Sequence, residues 1–281
     1  MANVSPLVLC NDNKKSRVYF RARRWEGKRQ CPRCDFRRKI YHLDNEKYRC
    51  KRCQYTFSEF TGTYLERIRI SFSELAHLLY LFALGVPAWR GRQYLSVNIN
   101  TAQRYYRLFR QAIYDHCIET LKETALSGEI EMDETMFGGS REGKRGWGAA
   151  GKQVVFGMYK RNGKVLTFPV NSRKKEELKP KITKHSQPGS IYYTDDYSGY
   201  SFLSIRGEHV VVEKDKDGKP ATAGADHING IEGFWSFAEN WMYQYRGMYK
   251  QYFPLYLKEA EFRFNYRDRN LFAFIADLVT S

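Results

Sequence analysis

Four of the six cysteines in this chain stand as two C-x2-C pairs, Cys31 with Cys34 and Cys50 with Cys53, with fifteen residues between the pairs. No other feature narrows the fold as much. Each pair can present two thiolates to one metal from one tight knuckle, and two knuckles complete a tetrahedral zinc site. The run between them, IYHLDNEKYRC, reads as a short hairpin that brings the knuckles together. Disulfide pairing is the weaker reading where the compartment keeps thiols reduced, and a second pair at this distance argues for metal over redox chemistry. One structural Zn²⁺ is therefore expected on the four cysteines, with His42 a poor substitute ligand. Cys10 and Cys117 have no such partners and read as a free thiol and a core residue.

Charge is the second constraint. The net charge is +16, and it is segregated: residues 1–112 carry 23 Lys/Arg against 8 Asp/Glu, while the remainder carries 24 against 23. A basic front attached to a neutral back is the footprint of a polyanion-binding module placed ahead of something else. Nucleic acid is the expected polyanion; an acidic protein or a membrane surface is the alternative that basic charge alone leaves open. In the cysteine region Arg33, Arg37, Arg38, Lys39, Lys47, Arg49, Lys51 and Arg52 are interleaved with Tyr41, Tyr48, Tyr55 and Phe57. The cations suit phosphate contacts, and most of the aromatics are expected to cover a miniature core. The longest apolar run, Leu75 to Val86, is interrupted by His77 and is too short to span a bilayer. The N-terminus lacks the pattern of a secretion signal, so a soluble, cytoplasmic, nucleoid-associated protein with no membrane partner is expected.

A helical region follows. Ser71-Phe72-Ser73-Glu74 is a capping box that opens a helix through about Leu84, before Gly85 and Pro87. A short helix is expected around Trp89 to Leu95, then a turn at SVNIN and a third helix from about Thr101. That last helix groups Ala102, Tyr105, Tyr106, Phe109 and Ile113 on one side, with Arg104, Arg107 and Gln111 on another. Three helices with a short turn before the third suggest a helix-turn-helix, with Asn100, Thr101, Gln103, Arg104 and Arg107 as DNA contacts. A plain helical linker is the alternative.

From Glu129 the pattern changes to strands. EIEMDETMF alternates, with Ile130 and Met132 on one face and Glu131 and Asp133 on the other. After the Gly/Lys/Arg-rich loop GGSREGKRGWGAAGK, the runs QVVFGMYK and KVLTFPV are joined by Arg161-Asn162-Gly163, a hairpin turn signal. A charged helix is expected over roughly Ser172 to Lys184, limited by Pro180, then strands at SIYYTDD and around HVVVEK. This order resembles a ribonuclease-H-like domain: mixed α/β, a five-stranded mixed sheet flanked by helices. The chain then divides into a zinc ribbon with a basic N-terminal region (1–65), a helix-turn-helix-like DNA-binding domain (66–125) and a catalytic domain with C-terminal helices (126–281).

In that order three acids fall at telling places. Asp133 lies on the first strand, Asp195 at the end of the fourth, and Glu232 near the start of the helix after the fifth. Converging carboxylates repel one another and lose solvation unless cations offset them. Two divalent metals about 4 Å apart do so, and they suit phosphoryl chemistry. Asp133 in EMDETMFGG, Asp195 in YYTDDYSGY and Glu232 in HINGIEGFWS resemble the DDE motif of bacterial insertion-sequence transposases, in particular the group with an N-terminal zinc ribbon. The similarity runs over nearly the whole chain, including the tail YQYRGMYKQYFPLYLKEAEFRFNYR.

The resemblance implies a DNA transposase that binds the terminal inverted repeats of its element on double-stranded DNA. It implies metal-dependent hydrolysis at the ends and joining of the freed 3′-hydroxyl to target DNA, with two Mg²⁺ or Mn²⁺ held by Asp133, Asp195 and Glu232. Two ends held together imply a homodimer or higher multimer. Some members use Asn as third ligand, so Asn229 is an accessory candidate, as is His227 in the recurring His-x-Asn stretch. Glu131 shares the face of Asp133 and reads as accessory or solvated, while Asp196 should point away. The family usually carries Lys or Arg two helical turns after the acid, and this chain has Glu239 there. An inactive, transposase-derived DNA-binding protein is the alternative that Glu239 leaves open. A local reading of the helix start competes too: Asn229 and Glu232 have the spacing of an N-cap and N3 residue.

Overall fold

The computed structural model describes residues 4–25, 27–138, 152–212 and 227–281. The Gly/Lys/Arg-rich loop lies outside them apart from its two ends, as do the last two residues of the HVVVEK run. The chain forms two compact units, Met1–His116 with Asp268–Ser281, and Cys117–Arg267. Among the described residues no helix is long and apolar enough to cross a membrane.

The first unit opens with α1 (Pro6–Asn11) and α2 (Asn13–Trp25). A three-stranded antiparallel sheet follows, in the order β1 (Ile40–Leu43), β2 (Lys47–Cys50), β3 (Thr56–Ser58). Its small core is Trp25, Tyr48 and Phe57 around the buried Cys31 and Cys50, with Tyr55 packed against it and Tyr41 left exposed. Part of the basic charge serves the fold. Buried Glu59 is ringed by Arg17, Arg21 and Arg29 at 3.5, 3.1 and 3.6 Å, which ties α2 to the ribbon.

Helix α3 (Phe72–Ala83) begins with the capping box expected at Ser71 and Glu74. Asn13 Oδ1 adds a second cap by accepting from the Phe72 and Ser73 amides. A short α4 (Ala88–Gly91) runs into a 3-10 turn at Arg92–Tyr94, and α5 (Ile99–Glu123) follows. All five apolar residues expected on one side of α5 are buried, and Arg104 and Arg107 are exposed. The last helix, α9 (Leu271–Thr280), belongs to this unit, burying Phe272, Ile275, Ala276 and Val279 and pairing its Asp277 with Arg23 of α2.

The second unit is a five-stranded mixed sheet in the order β6-β5-β4-β7-β8. The strands are β4 (Glu129–Phe137), β5 (Gln153–Lys160), β6 (Val165–Val170), β7 (Ile191–Thr194) and β8 (Glu208–Val211). The first three are antiparallel, turning at Asn162 in a left-handed conformation (φ 56°), and β4 pairs with β7 and β7 with β8 in parallel. The alternation along β4 sorts the core. Ile130 and Met132 face a cluster with Leu178 and Ile182 of α6 (Lys175–His185) and with Tyr200 and Leu203. The opposite face packs on α7 (Asn229–Tyr243) and α8 (Phe253–Asn265). Pro180 lies inside α6 and does not limit it. Leu178 and Ile182, buried on either side of it, hold the helix together across the lost hydrogen bond.

Helix α8 carries a run of buried charge that the sheet edge explains. β6 is an edge strand, and unpaired edge groups invite association with other chains. Asn265 accepts from the Val165 amide and donates to its carbonyl, both at 2.8 Å. Glu261 accepts from the Thr167 amide at 2.8 Å, and Lys258 donates to the Thr167 carbonyl at 2.9 Å and to Glu261 at 2.6 Å. Residues 258, 261 and 265 share one helix face, so α8 stands in for a sixth strand. Glu261→Ala would leave a buried ammonium and an amide unmatched, and is expected to cost about 3–5 kcal/mol. Urea unfolding checks this: a loss below about 1 kcal/mol would contradict the edge-sealing role, a typical value for one net hydrogen bond.

Candidate active site and metal centre

The two cysteine knuckles are built alike. The Asp35 amide donates to the Cys31 carbonyl, and the Gln54 amide to the Cys50 carbonyl, at 2.9 and 3.0 Å. Asp35 and Gln54 are both left-handed, at φ 56° and 57°. The turns therefore repeat, and all four Sγ atoms lie within 4.8 Å of one another. Cys31 and Cys53 are 3.6 Å apart, and Cys34 and Cys50 3.7 Å. A tetrahedron with Zn–S bonds of about 2.3 Å has edges of about 3.8 Å, so the tetrad fits zinc. The Tyr55 amide, helped by the neighbouring thiols, draws the Cys53 thiol down to about 7. Around the tetrad, Arg33, Arg37, Arg38, Lys39, Arg49, Lys51 and Arg52 are all exposed.

In the second unit, sheet register places the acids. β4 and β7 run parallel with Glu131 opposite Tyr193. Continued two residues further, that register would bring Asp133 level with Asp195, which follows the last residue of β7. This is the carboxyl end of a parallel pair, where open α/β sheets form their ligand crevices. Both aspartates are half-buried, and the neighbouring Asp196 is exposed. Asp195 accepts from the Tyr197 amide at 3.2 Å and lies 3.4 Å from Arg173.

The helix carrying Glu232 is docked onto the same strand by specific contacts. The Ile231 amide donates to Glu131 Oε2 at 2.8 Å, and the Trp235 indole donates to Asp133 Oδ2 at 3.2 Å. Two glycines permit this approach. A Cβ on Gly157, the β5 partner of Asp133, would come within 2.5 Å of the Trp235 ring. A Cβ on Gly230 would come within 2.2 Å of Tyr159. Glu232, half-buried, stands one turn before Trp235 on α7.

Two local expectations are corrected here. Asn229 is not the N-cap: α7 begins at Asn229 itself, Ile228 precedes it, and no side chain of the segment caps it. The cap comes across the sheet from Glu131, whose charge also suits the positive end of the helix. Glu131 is accordingly not solvated but 1% exposed, held by Arg161 at 2.9 Å. Arg161 also donates to the His227 carbonyl at 2.6 Å and stacks on Tyr193 at 3.7 Å, fixing the loop before the helix. The His227 ring lies 3.7 Å from Glu131.

Sequence reasoning did not single out Glu134. It is buried on the opposite face of β4, bonded by the Tyr200 hydroxyl and 3.6 Å from Arg173. Burial pushes its carboxyl up to about 7, against the pull of Tyr200 and Arg173, and the charges of Asp133 and Asp195 push the same way. Its signal is present in the sequence: it is an acid flanking the apolar phase of Ile130 and Met132.

Asp133, Asp195 and Glu232 are hard oxygen donors, a set that fits Mg²⁺ or Mn²⁺. The β4–β7 register leads toward Asp133 and Asp195, and the Trp235 bond ties the Glu232 helix to Asp133. The three are not drawn to a common point. Among the described residues the cysteine tetrad is the only group of three or more potential ligands with all ligand atoms within 4.8 Å.

Two family models match this chain. Residues 12–56 match a transposase zinc-ribbon domain, and residues 125–265 match an ISXO2-like transposase domain. An uncharacterized transposase-like protein of Haemophilus influenzae is 34% identical over 103 residues, 36% of this chain and 81% of that protein. An uncharacterized protein in the transposable element ISH50 of Halobacterium salinarum is 24% identical, over 85% of this chain and 86% of its own length. All four cysteines of the tetrad lie within the first matched segment and all three acids lie within the second, and this chain belongs to the family of ISXO2-like transposases.

Proposed function

We propose that this chain binds the terminal inverted repeats of its insertion sequence, cleaves the ends by metal-dependent phosphodiester hydrolysis, and joins the 3′-hydroxyl to target DNA. One observation supports the reading above others: the parallel β4–β7 register, which leads toward Asp133 and Asp195 at the strand ends, with the Glu232 helix anchored to Asp133 through Trp235. Asp133, Asp195 and Glu232 would hold two Mg²⁺ or Mn²⁺, which when bound supply activation of the attacking oxygen and stabilisation of the leaving one. Trp235 orients the Asp133 carboxylate. Glu131 and Arg161 fix the start of the helix, and Arg173 balances the negative charge of Asp195 and Glu134. Asn229 and His227, at the head of that helix, are accessory groups.

The tetrad would hold one structural Zn²⁺. The exposed cations of the ribbon, with Arg104 and Arg107 of α5, would contact phosphates of double-stranded DNA in the cytoplasm, at the nucleoid. Joining two ends calls for a dimer or higher multimer. The test is purified protein with Mg²⁺ and DNA carrying the element's terminal repeats. Nicked ends and joined products are expected, and both should vanish in Asp195→Ala. End binding without cleavage in Mg²⁺ or Mn²⁺ would support the inactive DNA-binding alternative instead.

Glu239 provides a second check. It is exposed on α7, two turns beyond Glu232, a rise of about 10 Å. If that face meets DNA, Glu239→Lys replaces a repelled charge with an attracted one. Affinity for end DNA should rise, and the slope of log K against log salt should steepen by about one to two units. An unchanged slope would place this face away from the DNA.

A further inference from the structure

The loop between α3 and α5 displays aromatic side chains that the fold does not use. Trp89 is 57% exposed and Tyr94 63% exposed, although both belong to a segment that is itself firmly held. Ala88 and Gly91 of α4 are buried, and a Cβ on Gly91 would already press on Leu81 at 3.2 Å. The Tyr106 hydroxyl donates to the Val86 carbonyl at 2.9 Å. The backbone is therefore anchored while the rings stay outside, an arrangement that pre-organises them at the cost of hydrated apolar area. Trp89 and Tyr94 line one open concavity of about 680 Å³ together with Arg90, Arg92, Gln93 and Val86. The Arg90 guanidinium lies 4.9 Å from the centroid of the Trp89 ring.

Charge decides what kind of molecule suits this surface. From Leu75 to Tyr114 there is no Asp or Glu, while Arg90, Arg92, Arg104, Arg107 and Arg110 fall in the same forty residues. Arg90, Arg92, Arg104 and Arg107 are exposed. An apolar protein segment would gain nothing from the exposed guanidinium groups of Arg90 and Arg92 that line the concavity, whereas a polyanion with flat, stackable rings matches both features. Helix-turn-helix contacts to paired DNA use polar side chains in a groove; they give no use for an outward tryptophan beside a concavity. We infer that this concavity takes an unstacked nucleobase of the bound DNA, with Trp89 and Tyr94 as stacking surfaces and Arg90 and Arg92 holding the adjoining phosphates. Such a site would favour DNA whose pairing is locally disrupted, because the unstacking cost is then already met. The inference rests on the DNA-binding reading above.

The test compares two DNA duplexes of the same terminal sequence, one fully paired and one with a single unpaired 2-aminopurine, binding to the full-length protein. Wild type is expected to bind the second more tightly and to quench its fluorescence. Base–aromatic stacking is worth about 1–3 kcal/mol per base, so Trp89→Ala should lose about 5- to 150-fold on that duplex alone. Trp89→Phe should keep most of the preference, and Tyr94→Ala should lose part of it. Both positions are exposed, so thermal unfolding should match wild type in every variant. The proposal is overturned if Trp89→Ala and Tyr94→Ala keep the wild-type preference. It is also overturned if they alter only sedimentation, which would make the patch a protein contact. Failure of wild type to bind either duplex would instead remove the DNA-binding reading on which it stands.

Discussion

Asp133→Asn is expected to lower Mg²⁺-dependent cleavage of end DNA by about 10³-fold or more while leaving the protein folded. The magnitude follows from the several kcal/mol that bound metal supplies to a phosphoryl transition state, at about 1.4 kcal/mol per tenfold in rate. The fold should survive because the amide oxygen of asparagine can still accept from the Trp235 indole, which in the native chain donates to Asp133 at 3.2 Å. What is lost is the charge that would hold the metal. Asp195→Asn and Glu232→Gln should show the same loss in single-turnover cleavage. Asp196→Asn should cleave at close to the wild-type rate, because Asp196 is exposed next to Asp195 and off the shared register. A wild-type rate in Asp133→Asn would contradict the assignment of the site.

Removal of zinc by a chelator should unfold the ribbon. Its own core is only Trp25, Tyr48 and Phe57 around the cysteines, with partly buried residues at the margin. That is too little apolar burial for a module of this size to fold alone. Structural zinc contributes an apparent 10–16 kcal/mol in small zinc modules, as an order of magnitude, which is far more than so small a core could supply. One zinc per chain by metal analysis is expected, with loss of end binding on its removal. The second unit has its own buried sheet core and should keep its secondary structure. Zinc binds thiolates and displaces their protons, so affinity for zinc should fall as pH is lowered. Chelation that leaves the ribbon spectrum unchanged would contradict the metal's structural role.

Elements with a local signature were legible in the chain. The knuckles are written in four cysteines, and the start of α3 in Ser71 and Glu74. The alternation of Ile130 and Met132 against Glu131 and Asp133 gives both faces of β4. What could not be read locally depends on residues far apart in sequence. Glu131 caps a helix one hundred positions later. Pairing Asn229 with Glu232 looked sufficient only because the true cap is on another strand. Gly157, in the middle of a strand, did carry a warning, since an interior glycine marks a close approach. The approaching group is Trp235. The charged run Lys258, Glu259, Glu261 and Arg263 reads as a solvated face until the open edge of β6 is in place beside it. Nor does anything local in Leu271–Thr280 say that this apolar helix returns to the unit begun at the N-terminus.

The central claim is that Asp133, Asp195 and Glu232 hold divalent cations on bound DNA, and counting those ions tests it most directly. Mn²⁺ uptake can be followed by electron paramagnetic resonance, with protein saturated in end DNA and zinc retained in the ribbon. Wild type should take up two Mn²⁺ per active site, and the Asp133→Asn, Asp195→Asn double variant should take up none at the same concentration. Equal uptake by the two proteins, with DNA bound in both, would contradict the account.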